Sequence, residues 1–137
     1  MDKNSIDIII PTFRLNEHQL LGIINLPKPE QFNISYYIIA DKTDPLIPES
    51  IAALHDRGLI CLIIHKKNLG PAAARNTGIR AGKGKWVLFL DDDIKPQEDL
   101  LIRYAEACKK NEDSIGFAGL TIFPEPFNSA TKALLQG

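Results

Sequence analysis

Three aspartates in succession, Asp91, Asp92 and Asp93, follow four apolar residues in the stretch VLFLDDDIKP. Like charges this close repel one another, so their grouping needs either a counter-ion or solvent. In an extended segment, side chains i and i+2 point the same way. Asp91 and Asp93 are therefore expected on one side and Asp92 on the other. Two same-side carboxylates leaving a strand make a hard, oxygen-rich seat for Mg2+ or Mn2+, with coordination positions left for a diphosphate. Taken alone, the triplet also reads as a solvated turn in which one aspartate caps a helix near Gln97.

The triplet is preceded by a second unusual stretch, NLGPAAARNTGIRAGKGKW, from Asn68 to Trp86. Ala72, Ala73, Ala74 and Gly78 keep one helix thin enough to lie close to a sheet. Arg75 and Asn76 interrupt that run of small residues, where packing alone does not ask for them. Arg75 reads equally as an ordinary exposed helix position or as a cation held for a ligand. GIRAGKGK is not a phosphate loop: three or five residues separate its candidate glycines instead of four, and Trp86 stands where Ser or Thr is needed.

These residues require elements that bring them together. SIDIIIP, NISYYIIAD, LICLIIH and KWVLFL are short, continuous apolar runs and read as strands. Between them lie helical patterns: NEHQLLGIINL with Asn16 as N-cap, PESIAALHDRG closed by Gly58, and PAAARNTGIRAG with Pro71 at its start. PQEDLLIRYAEACKKN is an amphipathic helix, acidic early and basic late. SIGFAGLTIF reads as a fifth strand, and NSATKALLQG opens another helix. Strands that are apolar throughout and alternate with helices indicate a mostly parallel sheet covered on both faces. Ligands of such sheets bind outside the carboxyl ends of the strands. The ends here are Pro11-Thr12, Asp41, His65 and the aspartate triplet.

The bulk properties set bounds. A chain of 137 residues is expected to be one domain, residues 1–137, with a real core. The net charge of −1 gives no broad basic field, so nucleic acid is not an expected partner. Cys61 and Cys108 lack metal-ligand spacing and fit a reducing compartment. His18, His55 and His65 show no metal-ligand spacing either. No apolar run approaches the ~18 residues of a membrane span. The expected location is cytoplasmic, or peripheral to the inner face of a membrane as part of a longer protein.

The combination of IDIIIPTFR, YYIIADKTD and NLGPAAARNTGIRAGKGKWVLFLDDD resembles the family 2 glycosyltransferases, the inverting enzymes of the GT-A group. The last block matches their N-x-G-x-x-x-A-R-N-x-G…F-L-D-x-D signature. The resemblance implies a Rossmann-like three-layer α/β/α sandwich that binds a nucleotide-diphosphate sugar at its strand ends. It implies transfer of the sugar to an acceptor hydroxyl with inversion, of the hexosyltransferase type, and a saccharide or lipid-linked acceptor. Pro11, Thr12 and Phe13 would line the nucleoside pocket, and Asp41 would bind the base. Asp91 and Asp92 would lie near ribose and base. Asp93, with Asp91, would hold the metal on the diphosphate, and Arg75 and Asn76 match the A-R-N signature near the nucleotide. A UDP-sugar is the first expectation. Arg14 and Lys42 depart from the family pattern, and an alternative register would put Asp44 in place of Asp41.

The family's catalytic base and acceptor region normally lie well beyond D-x-D, whereas this chain ends at Gly137. No catalytic base is therefore assigned. The chain is expected to be the donor-binding half of a longer enzyme, inactive by itself, with an apolar C-terminal face that could pair two copies. The rival from another class is a non-catalytic sugar-nucleotide-binding module. A phosphatase of the haloacid dehalogenase type fits poorly, because its D-x-D opens the domain and here Ile94 and Lys95 follow Asp93.

Overall fold

The apolar runs do form strands, and each is placed by its neighbours. The computed structural model describes residues 4–110. Within them β1 (Ser5–Thr12), β2 (Asn33–Ala40), β3 (Cys61–Ile64) and β4 (Trp86–Phe89) make one parallel sheet in the order β3-β2-β1-β4. The register sets Ile8 opposite Tyr36 on one side and opposite Leu88 on the other. The expected fifth strand and final helix lie outside the described residues.

Helices α1 (Glu17–Ile24), α2 (Glu49–Asp56), α3 (Pro71–Ala81) and α4 (Leu100–Lys110) join and follow the strands. Alternation along β1 sorts its side chains between two cores. Ile6, Ile8 and Ile10 pack with Leu20 and Ile23 of α1, Ile51 of α2, and Leu101 and Ala105 of α4. Ile9 faces the other way, with Ile39 and Ala74 of α3. The result is a three-layer α/β/α arrangement, as expected. Burying an aliphatic side chain of this size contributes about 1.5–3 kcal/mol, so the isoleucine run of β1 is the main anchor of the sheet.

The ends of these helices follow local chemistry. Asn16 Oδ1 accepts the N–H of Gln19 at 3.0 Å, which confirms it as the N-cap of α1. Gly58, at φ 74°, closes α2 in the left-handed region. Helix α4 starts four residues later than the pattern beginning at Pro96 suggests. Asp99 stays outside it: its carbonyl takes the first helical bond from Arg103 N–H at 2.9 Å, and its carboxylate takes Arg103 Nε at 2.7 Å.

The GKGK segment has a structural explanation. Asp7, buried in β1 at the edge opposite the strand ends, accepts the N–H of Gly84 at 2.7 Å. The loop thus wraps a carboxylate of the protein itself.

One face of β4 is bare among the described residues. Val87 and Phe89 lie on the α3 side and are 40 % and 43 % exposed, while Leu88 between them is buried.

Candidate functional site

The site begins with the hydrogen bonds that continue each strand by one residue. Asp41 N–H donates to Thr12 O at 2.9 Å, His65 N–H to Ala40 O at 2.9 Å, and Leu90 N–H to Ile9 O at 3.1 Å. The ladder therefore fixes Thr12, Asp41, His65 and the start of the aspartate triplet along one edge.

A cavity of about 250 Å³ opens there. Pro11, Thr12 and Phe13 line it from β1, Asp41 from the end of β2, and Asp91, Asp92 and Asp93 from the end of β4. Helix α3 contributes Pro71, Ala74 and Arg75. Eight of the nine residues singled out from the sequence thus meet in one place. The ninth, Asn76, sits on an exposed part of α3 and is not among the lining residues.

The triplet does not keep strand geometry. Ile94 N–H donates back to Asp91 O at 3.5 Å, and Asp92 and Asp93 form a turn. The alternation expected of an extended segment stops at Leu90, and all three carboxylates border the same cavity. Asp92 is held: Oδ2 accepts the Thr12 hydroxyl at 2.5 Å. Thr12 Oγ1 in turn accepts the N–H of Leu15 at 3.0 Å, which supports Leu15 at φ 49°. Arg75 Nη2 lies 3.9 Å from Asp91 Oδ1, with both side chains substantially exposed. A pair so solvated contributes well under 1 kcal/mol and leaves both groups free to turn to a ligand.

Asp41 has a different environment. Its side chain is buried. Oδ1 accepts His65 Nδ1 at 2.9 Å and Leu69 N–H at 2.7 Å, and Oδ2 accepts Gly70 N–H at 2.8 Å. Burial pushes its carboxyl up, but the Leu69 N–H, the His65 ring and the Gly70 N–H outweigh burial and hold it below the usual carboxylate value. Three of about four acceptor positions are used, which leaves one on Oδ2. Phe13 is 51 % exposed, and Lys42 Nζ stands 5.2 Å from its ring centroid.

His65, which ends a strand, gave no sign in the sequence of its partners. Its other nitrogen, Nε2, lies 2.8 Å from Thr77 Oγ1 on α3. Only the fold brings these positions together.

The donor set suits a hard cation incompletely. Asp91 and Asp93 are exposed carboxylates at an open corner, and among the described residues no group of three or more His, Cys, Asp or Glu side chains is placed to hold a metal ion. Two such carboxylates would hold Mg2+ or Mn2+ only together with waters and oxygens from a phosphate ligand. They do not fit a structural zinc site.

The family model "Glycosyl transferase family 2" matches residues 7–134. The chain belongs to glycosyl transferase family 2. An uncharacterised glycosyltransferase from Rickettsia conorii is 33% identical over 109 residues, covering 77% of this chain and 18% of that protein. The succinoglycan biosynthesis protein ExoO of Rhizobium meliloti is 34% identical over 77 residues, or 56% of this chain and 22% of its own length. Among solved structures, S. aureus TarS 1–349 in complex with UDP-GlcNAc superposes with a TM-score of 0.60 at 16% identity, covering 79% of this chain and 32% of TarS 1–349. That likeness bears on the fold, which is the GT-A fold of the family. The chain spans about a fifth of the two curated relatives.

Proposed function

We propose that this chain is the donor-binding part of an inverting, metal-assisted glycosyltransferase that uses a nucleotide-diphosphate sugar. The observation that supports this most is the meeting of Asp91, Asp92, Asp93 and Arg75 with Thr12 and Phe13 around one open cavity at the strand ends. A sugar nucleotide has a planar base, a ribose and a charged diphosphate, and the cavity offers matching chemistry for each. Phe13 gives the base an aromatic face, and the remaining acceptor position of Asp41 suits an N–H of uracil. Asp92, fixed by Thr12, and Asp91 are placed for the ribose and base. Asn76 enters this reading only as a member of the signature.

Asp93 and Asp91 would hold Mg2+ or Mn2+, which when bound supplies Lewis-acid stabilisation of the charge on the leaving diphosphate. Arg75 adds a second positive charge on the same side. Inversion requires a base for the acceptor's proton. Among the described residues every carboxylate bordering the cavity serves the donor in this reading, and the chain is proposed to bind donor without transferring sugar. Complexes of S. aureus TarS 1–349, which shares the fold, with UDP and with UDP-GlcNAc support the nucleotide. A UDP-sugar is the proposed donor, with a saccharide or lipid-linked acceptor and a cytoplasmic site of action. Among the described residues no helix is long and apolar enough to cross a membrane.

Calorimetry with UDP and Mn2+ tests the donor site. Micromolar to millimolar binding is expected, weakened at least tenfold in Asp93→Ala. Sugar transfer by a longer chain that contains this segment separates the enzyme from a binding module. Absence of UDP binding to the folded wild-type chain would refute the reading.

A further inference from the structure

Helix α3 starts without a side-chain cap of its own. Its N-cap position is Gly70, at φ 97°, and Pro71 is its first residue. The N–H groups of Leu69 and Gly70 go to the carboxylate of Asp41, from the opposite side of the cavity entrance. Asp41 therefore sets where α3 begins, and α3 sets where Arg75 stands.

The side chain bonded to Asp41 is that of His65. The ring is buried between two oxygens, Asp41 Oδ1 at 2.9 Å from Nδ1 and Thr77 Oγ1 at 2.8 Å from Nε2. The Thr77 hydroxyl lies 3.0 Å from Ala73 O, which can only accept. A hydroxyl has one proton, so while it donates to Ala73 it must accept from the ring. A carboxylate accepts as well. All these bonds are satisfied together only when both ring nitrogens carry protons. With one proton fewer, the Thr77 hydroxyl must turn toward Nε2 and give up Ala73 O, and Asp41 loses the positive charge beside it.

Resting on the donor-site reading above, we propose that His65 is a positioning residue for the donor cavity. Clamped between Asp41 and Thr77, its ring locks the turn at residues 68–70 and the start of α3 when both of its nitrogens donate. Loss of a ring proton loosens that turn and weakens binding of the nucleotide diphosphate. Among the described residues the ring faces Asp41 from the end of β2 and Thr77 from α3. The cations nearby are engaged elsewhere or exposed: Lys42 stands over Phe13, Arg75 near Asp91, and Lys66 and Lys67 follow the ring in exposed positions. Asn68 Oδ1 shares the Gly70 N–H at 3.1 Å and does not titrate.

The test has two readouts on the 137-residue chain. Without ligand, the ring nitrogens of His65 are followed by NMR between pH 5.5 and 8.5, together with hydrogen exchange of the Leu69 and Gly70 amides. With ligand, binding of UDP-GlcNAc with Mn2+ is measured over the same range, because its diphosphate diester does not titrate there. Protection of the two amides is expected to fall about tenfold as the ring loses a proton, with affinity falling about five- to tenfold in parallel. His65→Asn keeps a donor for Asp41 without the titration, so its affinity should be flat with pH in the folded chain, at some cost in melting temperature from the volume lost. A ring that is singly protonated throughout, or amide protection and affinity that ignore its titration, overturns the proposal. If the amides follow the ring but UDP-GlcNAc and UDP bind at no pH, the donor-site reading falls and the clamp stands.

Discussion

Gly78→Ala is the substitution whose outcome the packing determines most directly. Alanine is the better helix former, by about 0.5–1 kcal/mol, so propensity alone predicts stabilisation of α3. The structure predicts the reverse. A Cβ at position 78 would lie 2.5 Å from Cγ2 of Ile9 and 3.0 Å from both Cγ1 and Cδ1. Cγ2 branches at Cβ and moves only with χ1, which is stiff in isoleucine, and Ile9 is fully buried in the central strand. The clash therefore displaces the helix or strains the strand, and overpacking of this kind costs about 1–3 kcal/mol. Subtracting the propensity gain leaves a net destabilisation of about 0–2.5 kcal/mol, centred near ~1 kcal/mol. Urea unfolding of Gly78→Ala should show a lower midpoint at unchanged slope. Because α3 also carries Arg75, affinity for UDP with Mn2+ should fall several-fold in the same variant. In a double-mutant cycle, Ile9→Ala should recover part of the Gly78→Ala penalty, since it removes all three clashing atoms. A Gly78→Ala chain as stable as wild type or more so would refute the claim that α3 is seated on β1 through this glycine.

Other outcomes follow from the same contacts. Thr12→Val removes the donor to Asp92 and the acceptor of Leu15 N–H, and should cost about 1–3 kcal/mol in urea unfolding and lower UDP affinity. Asp41 has a lowered folded pKa, so its stabilising contribution is complete above the ordinary carboxylate pKa of about 4 and is lost as pH falls through the folded value. The acid limb of the stability curve should accordingly flatten in Asp41→Asn, which is also less stable at pH 7. Tyr36 is raised to about 12 by burial. Its phenol should thus stay neutral past pH 10 by ultraviolet titration, with stability declining between about 10 and 12.

Much of the fold was legible because its signals are local. β1 is apolar at every position that meets a core, except Asp7, and so reads as a strand covered on both faces. Asn16, Gly58 and Pro71 mark helix ends through short-range hydrogen bonds or backbone limits. The site was legible at the level of edges, since a parallel sheet puts Thr12, Asp41 and the triplet at the same end. What stayed hidden depends on contacts between distant segments. The turn at Asp92–Asp93 is tied to Thr12, eighty positions away in the chain, so no spacing rule predicts that all three carboxylates border one cavity. The pairing of His65 with Asp41 and Thr77 is hidden for the same reason. The late start of α4 turns on Asp99 bonding Arg103 from outside the helix, where the amphipathic pattern alone extends the helix through it. Asn76, adjacent to Arg75 in the signature, is rotated by about 100° around α3 and so falls outside the cavity lining.

The central claim is that the acidic corner seats a divalent cation together with a nucleoside diphosphate. Paramagnetic broadening by Mn2+ tests it residue by residue in NMR spectra of the folded chain. Substoichiometric Mn2+ with UDP should broaden the amides of Asp91, Asp92 and Asp93 selectively, and Asp93→Ala should abolish the effect without unfolding the chain. Sharp signals at those three residues in the presence of both Mn2+ and UDP would contradict it.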